Sequence, residues 1–135
     1  VKFASPQNCE DAFYRSFREN DIDTMRGLWA AHNGIVCVHP GRRPLTGRDD
    51  VLASWQDILG APGHFDIRME ALRVVATADL AVHFGLEFIQ AGDDPREATI
   101  SVVNVYEYGN DGWRMRVHHA GPIHEDLNVS HAPVH

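Results

Sequence analysis

No apolar stretch in this sequence approaches the roughly 20 residues that a membrane-spanning helix requires, so no membrane role is expected. Blocks of basic residues are missing too. The formal net charge is −7, whereas nucleic-acid backbones are bound by clustered Lys and Arg. Nucleic acid is therefore not an expected partner. Cysteine is scarce: only Cys9 and Cys37 are present. Two cysteines make a poor disulfide framework, so both are expected as reduced, buried thiols. A basic-then-apolar leader is absent, and these features together predict a soluble, cytoplasmic protein. No Cys or His pair has zinc-site spacing, and no helical His pair at i and i+4 brackets a glutamate. Neither a metal nor a cofactor is expected. Internal repeats and low-complexity segments are also lacking.

What is present suits one globular domain. At 44% hydrophobic and 23% charged residues, the 135-residue chain carries enough apolar material for a single core. That domain is expected to span residues 1–135, with a core over about 8–122 and a loose tail from 123. A first helix is predicted from about Asn8 to Asn20, with Cys9, Ala12, Phe13, Ser16 and Phe17 at helical spacing. A short second helix follows from about Asp23 to Ala31, with Met25, Leu28 and Trp29 on one face. Ile35–His39 forms a strand ended by Pro40-Gly41. Thr46 and Asp49 sit at capping-box spacing before a third helix buried through Val51, Leu52, Trp55, Ile58 and Leu59. Beyond residue 63 the period becomes two. Four strands are predicted, about His64–Ala76, Leu80–Ala91, Glu97–Tyr108 and Trp113–Gly121, joined by links short enough to force antiparallel neighbours. The first of them changes face near Leu72, which predicts a bulge. Helices segregated from strands mean an α+β fold: three N-terminal helices on a strongly curved antiparallel sheet, a cone with a central pocket.

Several local patterns have a familiar look in this order: Ala12-Phe13-Tyr14, Leu28-Trp29, Val38-His39-Pro40-Gly41, Leu45-Thr46-Gly47-Arg48, Asp111-Gly112-Trp113-Arg114-Met115 and His118-His119-Ala120-Gly121-Pro122. Over residues 8–122 the chain resembles the nuclear transport factor 2-like superfamily, in its SnoaL-like branch, with the cone fold of ketosteroid isomerases and polyketide cyclases. The resemblance implies a pocket for a small molecule. It implies no single activity, because that fold hosts isomerases, dehydratases, cyclases, hydrolases and non-catalytic binding modules. The tyrosine and paired aspartates of the isomerases, and the acidic dyad with arginine of the epoxide hydrolases, have no match here.

Nine histidines supply the candidate chemistry, since imidazole moves protons near neutrality. His39 ends its strand near the expected mouth. Alternation puts His119 with Trp113, Met115 and Val117 on the inward face, leaving His118 with Arg114 and Arg116 on the outward one; a register shift of one residue would exchange the two. His119 and His39 are thus the expected catalytic pair. Tyr14, Trp29, Trp55, Asn104, Arg48 and His118 are the expected ligand contacts, although core packing for the aromatics and a structural role for Arg48 are the simpler readings. On the strand Leu80–Ala91, Val82, Phe84, Leu86 and Phe88 form the more apolar face, so Glu87 is expected to point away from the helices. A sheet apolar on both faces predicts a homodimer through its outer face. The function expected is a cofactor-independent isomerase, dehydratase or cyclase acting on an apolar, carbonyl-bearing small molecule. The alternative is a non-catalytic ligand-binding or dimeric assembly module.

Overall fold

The computed structural model describes residues 2–123. The expected tail from 123 onward lies almost wholly outside them. Helix α1 (Pro6–Glu19) starts two residues before the predicted Asn8. Ser5 caps it, its Oγ accepting from Asn8 N at 3.0 Å, and Pro6 sits where a missing N–H costs nothing. Asn20 ends it at φ 53, and its side-chain amide donates to Leu59 O at 2.8 Å, tying α1 to the third helix. Helix α2 (Ile22–Leu28) is capped by Asp21. It stops before Trp29, which turns extended to form a bridge with Met115. The sequence pattern ran the helix on to Ala31 because Trp29 keeps the apolar spacing; the pull of the sheet overrides it.

Strand β1 (Val36–Val38) pairs antiparallel with the two-residue β2 (Leu45–Thr46), and helix α3 (Arg48–Gly60) follows. Thr46 is therefore a strand residue, and the predicted capping box does not form: Gly47 is the N-cap, without a side-chain bond. Then come β3 (Phe65–Ala76), β4 (Leu80–Ala91), β5 (Ala98–Gly109) and β6 (Gly112–Pro122). The sheet order is β2-β1-β6-β5-β4-β3. The long strands are antiparallel as expected, but β1 runs parallel to β6, which makes the sheet mixed. That pairing joins elements some 80 residues apart and has no local signature.

Two irregularities bend the sheet. The first is the predicted one: the β3–β4 register shifts between Ala71 and Arg73, across Leu72. Here the backbone of β3 passes so close over Gly85 that any side chain there would meet Glu70 O and Ala71. The second lies between Val105 and Tyr106 on β5, opposite Arg116 on β6. The core gathers Phe13, Met25, Leu28, Trp29, Ile35, Val51, Trp55, Tyr106 and Met115 between the helices and the concave face. Cys9 and Cys37 are free and buried there, and burial pushes each thiol up to about 12.

Candidate functional site

The second bulge decides which histidine faces the core. Trp113 and Met115 point inward as expected. Arg116 is the extra residue, so the alternation resets and His118 and Ala120, not His119, continue the buried face. His118 is 2% exposed, while His119 is exposed to solvent. The inward place expected for His119 belongs to His118. Glu87 also reverses expectation. It is 2% exposed, on the concave face with Ala81 and His83, and Tyr14 Oη of α1 donates to its Oε2 at 2.7 Å. The face of Val82, Phe84, Leu86 and Phe88 is the outer one.

These reversals assemble a buried polar layer between α1 and the sheet. Asn104 Nδ2 donates to Tyr14 Oη at 2.9 Å and to Glu10 Oε1 at 3.3 Å. Tyr106 Oη donates to the same Glu10 oxygen at 2.9 Å, and His83 Nδ1 lies 3.1 Å from it. His118 Nδ1 meets Asn104 Oδ1 at 2.7 Å. Burying so many polar groups is tolerable only because they satisfy one another. α1 places Glu10 and Tyr14 one turn apart on the same side, and each strand contributes from its concave face.

At one edge of this layer opens a pocket of about 200 Å³ between the end of α1, α3 and the sheet. Phe17, Trp55, Ile58, Phe65 and Ile89 form its apolar wall; Glu87, His118 and His39 supply polar atoms, and Arg42 stands at its rim. Aromatic rings brace both histidines: His39 lies 4.8 Å from Trp55 and His118 lies 4.8 Å from Phe13, between ring centroids. His39 Nε2 is bonded to Ser54 Oγ at 2.9 Å. Among the described residues, no group of three or more His, Cys, Asp or Glu side chains converges as a metal site would.

The environment sorts the three titratable groups. Burial pushes Glu87 up to about 7, with the Glu10 charge adding to the rise and the Tyr14 hydrogen bond opposing it. Burial pushes His118 down to about 3, helped by His39 and His119. His39 falls to about 4 through burial and the nearby Arg42 cation. For Glu10, burial works upward but is outweighed by its contacts with His83, Tyr106 and Asn104, so it stays low and ionised. The pocket at neutral pH thus holds two neutral imidazoles and a carboxyl poised near its midpoint.

Of the expected ligand contacts, Trp55 and His118 line the pocket, and so does His39 of the expected catalytic pair. Tyr14 and Asn104 stand directly behind it, bonded to Glu87 and His118. Trp29 is core. Arg48 is structural: its guanidinium donates to Ala30 O at 2.6 Å and to Trp29 O at 3.4 Å, closing the chain after α2. Sequence reasoning missed Glu87, Glu10 and Arg42. The clue to Glu87 was the row His83, Gly85, Glu87 on an otherwise apolar strand, matching polar Glu10, Tyr14 and Asn104 elsewhere.

With this geometry established, comparison with known proteins places the chain. The SnoaL-like domain family matches residues 7–124. The chain belongs to the SnoaL-like domain family. Among solved structures, it is similar to a Thiobacillus denitrificans protein described provisionally as a calcium/calmodulin-dependent protein kinase type II association domain. The two are 37% identical over 92% of this chain and 99% of that one, with a TM-score of 0.86. It is also similar to a Streptomyces avermitilis protein described provisionally as a dehydratase of the NTF2-like family, at 28% identity over 87% of this chain and 92% of that one, TM-score 0.80. A ketosteroid isomerase-like protein from Erwinia carotovora shares the fold at 17% identity, over 88% and 94% of the two chains, TM-score 0.71. The F-box protein SKIP8 of Arabidopsis thaliana is 24% identical over 80% of this chain, which spans less than half (45%) of that relative. No helix among the described residues is long and apolar enough to cross a membrane.

Proposed function

We propose that this SnoaL-like domain moves a proton on a small carbonyl-bearing substrate without a cofactor, as an isomerase or dehydratase does, with Glu87 as the acid and base. The observation that carries this reading is a carboxyl pushed up to about 7 inside an aromatic-walled pocket. A general acid–base group works best with its pKa near the working pH, because it is then both available and willing to release the proton. Tyr14 holds one carboxyl oxygen in place. His118 and His39, kept neutral, add no charge beside it. The role first expected for His119 passes to Glu87 because His119 faces solvent. The similarity to a protein described as a dehydratase is in keeping with this chemistry.

The test needs no knowledge of the natural substrate. Exchange of the α-hydrogen of small ketones for deuterium, followed by NMR in D2O, should be accelerated by the protein and should depend on a group titrating near 7. Glu87→Gln should remove the acceleration. Absence of exchange across a panel of linear and cyclic ketones would defeat the reading.

A second reading concerns assembly and can hold alongside the first. Val75 is 64% exposed, Leu80 41% and Phe84 40% on the outer face, with Leu72 at the β3 bulge 47% exposed. We propose that a second copy of this chain covers it, giving the homodimer expected from the sequence. The 37% identical relative described as an association domain supports a self-associating surface. A monomeric mass at micromolar concentration would contradict it.

A further inference from the structure

Two chains of hydrogen bonds, each anchored away from the pocket, decide which nitrogen of each pocket histidine carries a proton. The first begins at Glu10. Its ionised carboxylate can only accept, so the NH2 group of Asn104 must face it. Tyr14 gives its hydroxyl proton to Glu87, so its oxygen accepts the other Asn104 hydrogen. With its NH2 fixed between two acceptors, Asn104 turns Oδ1 toward His118 Nδ1, 2.7 Å away. An amide oxygen has no proton to give, so His118 Nδ1 donates, and in a neutral ring Nε2 is left as a bare lone pair. The second chain begins at Val51. Ser54 Oγ donates to Val51 O at 2.7 Å and therefore accepts from His39 Nε2, which also lies 3.6 Å from Cys37 Sγ; both contacts fall on Nε2, leaving His39 Nδ1 bare.

Both rings line the pocket. Neither bare nitrogen has a partner among the described residues, and neither is sealed from solvent as the unpaired Trp29 Nε1 and Trp55 Nε1 are. We infer that Asn104, oriented by Glu10, is a positioning residue that locks His118 as its Nδ1–H tautomer, and that this pocket takes a small neutral hydroxyl-bearing ligand whose O–H groups donate to His118 Nε2 and His39 Nδ1. An anionic ligand would meet two lone pairs and the Glu87 carboxyl. An ammonium ligand would meet the Arg42 guanidinium at the rim. A hydroxyl avoids both. The inference rests on the pocket proposed above as the binding site, but not on any turnover there.

The test is long-range proton–nitrogen NMR of the uniformly labelled chain at neutral pH. The wild-type spectrum should show His118 with a protonated Nδ1 and an unprotonated Nε2, and His39 with the reverse. A protonated Nε2 on His118 would overturn the positioning role. Glu10→Gln lets the Asn104 amide turn over, so a single His118 tautomer should be lost; a spectrum unchanged in that variant would also overturn it. If the variant does not fold, the wild-type spectrum alone decides. Titration with 1,2-propanediol should shift the His118 Nε2 resonance upfield, whereas propionate and propylamine should not. A shift with either of those and none with the diol, or no shift with any of the three, overturns the ligand class. Proton exchange lost in Glu87→Gln is a separate readout, so the catalytic reading and this one can fail independently.

Discussion

The two faces of this sheet invert the ordinary arrangement. The concave face, under the helices, carries Glu87, His83, Asn104 and His118 beside Tyr106 and Met115. The convex face and the far end of the β3–β4 hairpin expose Leu72, Val74, Val75, Leu80 and Phe84. Polar residues go inside where a network satisfies each of them. Apolar residues lie exposed on the other side, the surface proposed above for a second copy. The difference teaches that hydrophobic alternation identifies two faces of a strand but not which of them meets the helices.

The sharpest way to break this comparison is at its polar side. Glu87→Gln should lower any proton-transfer rate at least about 100-fold, the usual worth of a positioned acid or base, while circular dichroism shows the fold retained. Next is the point where the sheet folds over itself. Gly85→Val should destabilise the protein by about 2 kcal/mol or more in urea unfolding, because its side chain has to displace the β3 backbone at Glu70 and Ala71. On the apolar side, Phe84→Glu combined with Val75→Lys should halve the mass seen in sedimentation without loss of secondary structure.

Acid tests the buried imidazoles. His118 and His39 have folded pKa values depressed to about 3 and about 4 from 6.5. Their neutral forms favour the fold fully above 6.5, and that contribution drains away as pH falls from 6.5 toward those values. Glu87 is shifted upward from 4.5 to about 7, so its contribution is whole below 4.5 and is lost as pH rises through 7. Thermal melting should therefore weaken on both sides of an intermediate pH. His118→Gln should flatten the acid limb; an unaltered limb would count against burial of a neutral His118. The smallest effect belongs to the neighbour: His119→Ala should change stability by less than about 0.5 kcal/mol, as exposed positions do, and leave ligand binding intact.

How much of this was legible beforehand depends on the range of the interaction. The four long strands, the bulge at Leu72 and the helix stripes of α1 and α3 follow from spacing along the chain, and they appear within a residue or two of expectation. Asn104 was recognisable as an amide needing partners, and His39 as a residue at the strand exit. The exchange of His118 for His119 was not legible, because the Arg116 bulge is created by pairing with β5 and leaves no mark on β6 alone. Glu87 was misjudged for a related reason: its burial depends on Tyr14, 73 residues away, arriving to bond it.

The sequence by itself determined the α+β class and the two-residue alternation and bounds of the long strands, since these rest on periodicity and turn chemistry within short windows. Only the tertiary structure decided which face turned inward, which histidine entered the pocket, and that Glu87 sits buried at a pKa near 7. Those outcomes depend on desolvation and hydrogen bonds between segments far apart in the chain, and no local pattern encodes how such segments meet.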